Sequence, residues 1–226
     1  VRWPDFRSVK ENSNFNPAEP DFCYNNIREI LLSKYNIIKR GIMSRIIFVT
    51  GGARSGKSAF AQELAASFAD VGYVATASIT DEEMRERVRI HQQSRPESWA
   101  TFEAQKNLPA VFEKNTHEAF LLDCLTVYIA NAVVDVVNEE DEIINVRVQD
   151  AIEEQIMRDI ERMLNTVREK DITLIVVSNE VGMGLVPAYP MGRMFRDVVG
   201  RANKKVASSA DEAYFVVSGI PIKLKG

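Results

Sequence analysis

The chain has 226 residues, enough for one α/β domain with an appendage and a core that needs no disulfide or structural metal. Its formal charge of −4 argues against a nucleic-acid binder, which carries a basic balance. Two distant cysteines, Cys23 and Cys124, exclude a Cys-rich zinc cluster and a disulfide framework, and they suit a reducing cytoplasm. No membrane span is expected either, because the most apolar stretch, 119–137, is interrupted by Asp123, Asn131 and Asp135.

Residues 1–42 are rich in Asn and Pro early on, then carry Ile27, Ile30, Leu31, Tyr35 and Ile38 at near-helical spacing. Their five acidic residues speak against a transit peptide. Met43 lies just before a β-branched run, so 1–43 is expected to be an extension or docking helix and 44–226 the functional domain.

That run, Arg45–Thr50, reads as a strand and ends in Gly51-Gly52-Ala53-Arg54-Ser55-Gly56-Lys57-Ser58. A helical pattern follows over 57–69. Strand, Gly-x-x-x-x-Gly-Lys-Ser turn and helix are the context of a Walker A loop, which cradles a polyphosphate in backbone N–H groups. Lys57 is expected at the terminal phosphates and the Ser58 hydroxyl at Mg²⁺.

A strand at 72–75 and a helix at 81–93 come next, the helix opened by a Thr80–Glu83 capping box. His91 sits near its end, sharing a face with Met84 and Val88, so a packed structural role stays open for it. Arg95, Pro96, Trp99 and Glu103 follow closely, and an imidazole there can attack phosphorus while Arg95 neutralises phosphate charge. The other histidine, His117, lies in a polar, turn-like stretch and reads as a solvated loop residue. The strand 120–124 carries Asp123 at its end, a Walker B-like carboxylate placed to reach Mg²⁺ from a neighbouring strand.

A helix over 125–137 leads to an acidic, solvated connection at 138–142. The helix 145–168 carries Ile152, Ile156, Ile160, Met163, Leu164 and Val167 on one face, with charges opposite. A strand at 173–178 runs into Asn179-Glu180 and a glycine-containing loop to Pro187, which positions a substrate, covers the site or simply turns. The helix 193–209 bears Arg196, Arg201, Lys204 and Lys205, candidates for phosphate contact or for a solvated face. A strand at 214–218 ends the pattern. Alternating β and α elements with continuous apolar strands predict a mostly parallel, three-layer sheet. On the residues alone, a single-activity P-loop kinase and a nucleotide-dependent binding module also remain open.

Six blocks, taken together, resemble one family. They are Gly51–Ser58, Ala75-Thr76-Ala77, the spaced set Arg87, His91, Arg95, Pro96, Trp99, Thr101 and Glu103, the run Asp123–Thr126, the run 179–187 apart from Leu185, and the spaced set Phe195, Arg196, Asp197, Gly200, Arg201 and Asn203. The closing run 210–220 is similar too. The chain thereby resembles the bifunctional adenosylcobinamide kinases / adenosylcobinamide-phosphate guanylyltransferases of cobalamin biosynthesis over roughly 44–226. The resemblance implies a RecA-like P-loop fold, a cytoplasmic homotrimer and Mg²⁺-dependent use of GTP or ATP. It implies a kinase step on the aminopropanol hydroxyl, then GMP transfer through a guanylyl-histidine at His91. It maps nucleotide contacts to Gly51–Ser58 (Gly51, Gly52, Ala53, Arg54, Ser55, Gly56, Lys57 and Ser58), to Ala75, Thr76 and Ala77, and to Gln92, Gln93, Ser94, Arg95, Glu103 and Asp123.

Overall fold

Continuous apolar runs need cover on both faces, and the strands here receive it. The computed structural model describes residues 44–78, 82, 85, 86, 89, 95–137 and 143–226. Its elements are β1 (Arg45–Gly51), α1 (Lys57–Ala65), β2 (Val71–Ala75), β3 (Ala100–Glu103), α2 (Pro109–Lys114) and β4 (Ala119–Asp123). They continue with α3 (Leu125–Val134), α4 (Val146–Glu169), β5 (Thr173–Asn179), α5 (Pro190–Ser209), β6 (Glu212–Val217) and β7 (Ile220–Lys225). The extension at 1–43, the Thr80–Glu83 box and the acidic connection at 138–142 lie outside the described residues. Within the helix expected at 81–93, Glu82, Arg85, Glu86 and Arg89 are helical.

The strands form one sheet in the order β3-β2-β4-β5-β1-β6-β7. All pairs are parallel except β6 with β7. Alternate residues of each strand face opposite sides. Ile46, Phe48, Phe120, Leu122, Leu174 and Val176 join one buried cluster with Phe112, Ile129, Ile156, Ile160, Val198 and Ala202 of α2–α5. The opposite set, Ile47, Val49, Leu121, Ile175 and Val177, is equally buried. There α1 packs against β1, β4 and β5, and Phe60 meets Tyr214 edge-on at 5.1 Å. The result is a three-layer α/β fold with a mostly parallel sheet, and the glycine-rich loop stands at the end of β1.

Asp123 does not come from the strand beside β1. Strand β5 lies between β1 and β4, so the Walker B-like carboxylate reaches across one intervening strand. Sequence order cannot reveal this, because β5 is formed 50 residues after β4 in the chain.

Three elements escape periodicity. Strand β3 is four residues long and lies at the sheet edge, with alternate residues exposed. Strand β7 follows a two-residue turn, Ser218 (φ 51°) and Gly219 (φ 82°), a type I′ geometry that sends the chain back as an antiparallel edge strand. Helix α2 opens on Pro109 and, at six residues, is too short to show a stripe. Helix α5 begins three residues before the expected Arg193, again on a proline, which suits a first helical turn.

The predicted stripe of α4 is buried throughout. Its acidic side meets α5: Arg201 pairs with Glu153, and Lys205 Nζ lies 3.1 Å from Glu161 Oε1. Two of the cations considered for phosphate are thus engaged in helix–helix pairing. Arg196 pairs with its neighbour Asp197 at 2.9 Å, and Lys204 is exposed.

Candidate nucleotide-binding and transfer site

The carboxyl edge of the sheet gathers the site. Pairing places Glu103, Ala75 and Asp123 in one row across β3, β2 and β4. On the other side, Gly51 of β1 is level with Asn179 of β5 and Val216 of β6. A Cβ on Gly51 would stand 2.4 Å from the Val216 carbonyl oxygen, so only glycine lets β1 turn into the loop beside β6. Gly56 has φ 93°, and its Cα hydrogens face Gly219, where a Cβ would lie 3.2 Å from Cα. Gly219 N in turn donates to Ser55 O at 2.8 Å, pinning the loop to the β6–β7 turn.

Within the loop Lys57 is buried, and its Nζ donates to Gly52 O at 3.0 Å. Burial lowers its pKa, and the neighbouring Cys124 and Asp123 oppose that shift. The Ser58 hydroxyl donates to Asp123 Oδ1 at 3.3 Å, joining the helix start to the end of β4. Thr50 Oγ1 and Ser55 Oγ are buried without a hydrogen-bond partner among the described residues. Gly52 is half-buried while Ala53 and Arg54 are exposed, with Arg54 at φ 56°.

Asp123 has a second partner that the sequence did not suggest. Tyr73 Oη donates to Asp123 Oδ2 at 3.1 Å, and burial together with the Asp123 charge raises the phenol pKa above its ordinary value. Tyr73 is therefore a fixed proton donor that orients the carboxylate. The Arg95 guanidinium lies 3.7 Å over the Tyr73 ring, so Arg95, Tyr73, Asp123 and Ser58 form one connected chain. No local signal marks Tyr73, because its role comes from a contact 50 residues away.

The Ala75–Ala77 turn is held from below. Thr76 Oγ1 donates to Cys124 O at 2.8 Å and accepts from Cys124 N at 3.0 Å. Asn131 Nδ2 donates to Thr76 O at 2.8 Å, and Gln105 Nε2 to Ala77 O at 3.4 Å. Glu103 is exposed, 3.5 Å from Gln105. A second network, Thr126 with Ser178 at 2.9 Å and Ser178 to Asn203 at 2.6 Å, supports the end of β5. Cys124 is a free, buried thiol whose pKa burial and Asp123 push up to about 11, so it is chemically quiet.

His91, Gln92, Gln93 and Ser94 lie outside the described residues. His117 is not a solvated loop residue. Its Nδ1 is 2.6 Å from Asp70 Oδ1, and its ring packs edge-on against Phe102 and Phe120 at 5.4 and 5.2 Å. The polar neighbours that suggested a loop hide an apolar shelf provided by β3 and β4.

The protein-family profile described as cobinamide kinase / cobinamide phosphate guanyltransferase matches residues 47–224. The bifunctional adenosylcobalamin biosynthesis protein CobU of Escherichia coli is 38% identical over 182 residues, covering 80% of this chain and 99% of that protein. The bifunctional adenosylcobalamin biosynthesis protein CobP of Pseudomonas aeruginosa is 34% identical, over 79% of this chain and 96% of its own length. Among solved structures, the KaiC-like protein PH0186 of Pyrococcus horikoshii superposes with a TM-score of 0.40 at 11% identity, over 76% of this chain and 70% of that one. Matched by the profile over residues 47–224 and by these relatives over 80% and 79% of its length, the chain belongs to the cobinamide kinase / cobinamide phosphate guanyltransferase family.

Proposed function

We propose that the protein phosphorylates adenosylcobinamide from a nucleoside triphosphate and then transfers GMP from GTP to the new phosphate, giving adenosylcobinamide-GDP in cobalamin biosynthesis. The observation that carries this reading is the joined set Lys57, Ser58 and Asp123 at a glycine loop, in a chain of this family. Ser55 Oγ, buried without a partner among the described residues, is a donor suited to a phosphate oxygen in the same loop.

Ser58 and Asp123 offer one hydroxyl and one carboxylate to a cation, and no cluster of three or more His, Cys, Asp or Glu occurs among the described residues. That sparse, all-oxygen donor set fits Mg²⁺, which takes its remaining ligands from water and substrate phosphates. Bound there, Mg²⁺ would neutralise charge on the phosphates. Tyr73 would keep Asp123 aimed, and Lys57 would exchange its Gly52 contact for phosphate oxygens.

For the transfer step we assign His91 as nucleophile, following the family pattern. Its imidazole nitrogen attacks the α-phosphorus of GTP, a P–N bond forms and diphosphate leaves. The phosphate of adenosylcobinamide phosphate then attacks, the P–N bond breaks and the imidazole is regenerated. Gln92, Gln93, Ser94, Arg95, Glu103 and the Ala75–Ala77 turn are assigned to the nucleotide. The working form is a cytoplasmic homotrimer built from residues 44–226, with 1–43 dispensable for catalysis. A variant lacking 1–42 should keep both activities.

The test is GTP labelled on its α-phosphate. Wild type should retain acid-labile GMP after denaturation, with the label mapping to His91. His91→Ala should lose both the adduct and adenosylcobinamide-GDP synthesis by orders of magnitude while still phosphorylating adenosylcobinamide. Label retained by His91→Ala would move the nucleophile elsewhere.

A further inference from the structure

The kinase step needs a surface for a bulky acceptor and a group to take the acceptor's hydroxyl proton, and the residues following β5 offer both. Glu180 N donates to Gly51 O at 2.9 Å, so Glu180 is one hydrogen bond from the first glycine of the phosphate loop. Its Oε1 accepts from Gly182 N at 2.6 Å, which fixes the carboxylate, while Oε2 has no hydrogen bond among the described residues. The far end of the segment is also built. Arg193 Nη1 donates to Pro187 O at 3.1 Å and to Ala188 O at 2.6 Å, and Tyr189 packs so closely on Gly192 that a Cβ there would meet its ring at 2.7 Å.

Between these anchors the chain displays apolar side chains to solvent. Met183 is 79% exposed, Leu185 97%, Val186 64% and Tyr189 55%. Four large apolar residues on one short loop form an unusual surface, and such a surface marks a binding face. Its occupant follows from where it sits and from the family's acceptor. The hydroxyl must reach the terminal phosphate held by the glycine loop, so the body of the acceptor lies at the mouth of that loop. A corrin macrocycle is broad and methyl-studded, and needs apolar contact there.

We propose that the loop Glu180–Tyr189 is the corrinoid-binding wall of the kinase site, and that Glu180 takes the proton of the acceptor hydroxyl. The proposal rests on the cobinamide kinase reading above. As the acceptor oxygen bonds to the γ-phosphorus, its O–H bond breaks and the proton passes to Glu180. The bond from the γ-phosphorus to the bridging oxygen breaks, and the nucleoside diphosphate leaves with its electron pair. Glu180 then returns the proton to water.

The test uses the full chain with adenosylcobinamide and a nucleoside triphosphate, reading kinase kcat and both KM values, together with sedimentation. Leu185→Ser/Val186→Ser should raise the KM for adenosylcobinamide by roughly tenfold or more, and should weaken its binding measured by corrin absorbance equally. The KM for the triphosphate and the GMP adduct formed without corrinoid should stay near wild type. Glu180→Gln, which keeps an acceptor for Gly182 N, should lower kinase kcat by roughly 10²-fold or more while leaving corrinoid binding intact. If the double variant misfolds, Leu185→Ser alone decides, since that side chain is nearly fully exposed. A shifted sedimentation coefficient with unchanged KM would make the loop a contact between copies of the chain and overturn the corrinoid assignment. Unchanged kcat in Glu180→Gln would overturn the proton acceptor. Wild type that turns over beside unaffected loop variants sinks the loop alone, whereas wild type that neither binds nor phosphorylates adenosylcobinamide sinks the kinase reading with it.

Discussion

Helices α1 and α4 begin in opposite ways, and the difference separates site from scaffold. At α4 the Asn145 side chain accepts from Arg147 N at 2.9 Å, so the helix satisfies its own first turn. At α1 the preceding residue is Gly56 in a left-handed conformation, with no side-chain cap. The first N–H groups of α1 are thus left for a ligand, and the helix dipole adds positive potential where phosphate binds. The scaffold helix is long, striped and paired to its neighbours through Arg201 and Lys205. The site helix is nine residues long and is held chiefly by the sheet beneath it. Local completeness marks α4 as support, and local incompleteness marks α1 as a binding element.

Removing the charge at α1 gives the sharpest contrast. Lys57→Ala should lower kcat/KM at least tenfold in both the kinase and the transferase assays, since a charge-assisted contact is worth about 1.5–3 kcal/mol. Near-normal activity in both would remove the phosphate loop from the mechanism. Next comes the turn itself. Gly56→Ala forces a side chain into φ 93° against Gly219, costing about 1–2 kcal/mol, and thermal unfolding should show less stabilisation by GTP than in wild type.

On the scaffold side, His117→Ala should lower stability by about 1–2 kcal/mol in urea unfolding, because it removes ring packing on Phe102 and Phe120. Its kcat values should match wild type; a loss of either reaction would draw His117 into the site. Asn145→Ala should cost about 1 kcal/mol and again leave kcat untouched, which tests whether the α4 cap is purely structural. The smallest effect concerns pH. The folded state holds the Cys124 thiol protonated up to about 11, against 9.0 as its ordinary value. The resulting stability is fully present below pH 9 and is lost as pH rises toward 11. The thermal midpoint of wild type should therefore fall more steeply over that window than that of Cys124→Ala. Parallel curves would show that the thiol does not couple to folding.

Much of the fold was legible because buried parallel strands and long amphipathic helices leave strong local patterns. Strands β1, β2, β4, β5 and β6 and helices α1, α3, α4 and α5 lie where the residues point, within a few positions at their ends. Edge strands β3 and β7 and the short α2 were not legible, since half-solvated or six-residue segments carry too few core positions to show a period. His117 was misjudged for a related reason: its local sequence is polar, and its apolar surroundings come from residues 15 before and 3 after it.

The sequence by itself determined the phosphate loop, because its glycines, lysine and serine are contiguous and the demands on them are local backbone geometry. It also determined the alternation of strand and helix, which hydrophobic period records directly. Only the tertiary structure decided that β5 separates the loop strand from Asp123, that Tyr73, with Arg95 over its ring, holds that carboxylate, and that Glu180 stands beside Gly51. Those facts depend on which strands pair and in what register, and pairing is settled by burial summed over the whole sheet rather than by any one segment.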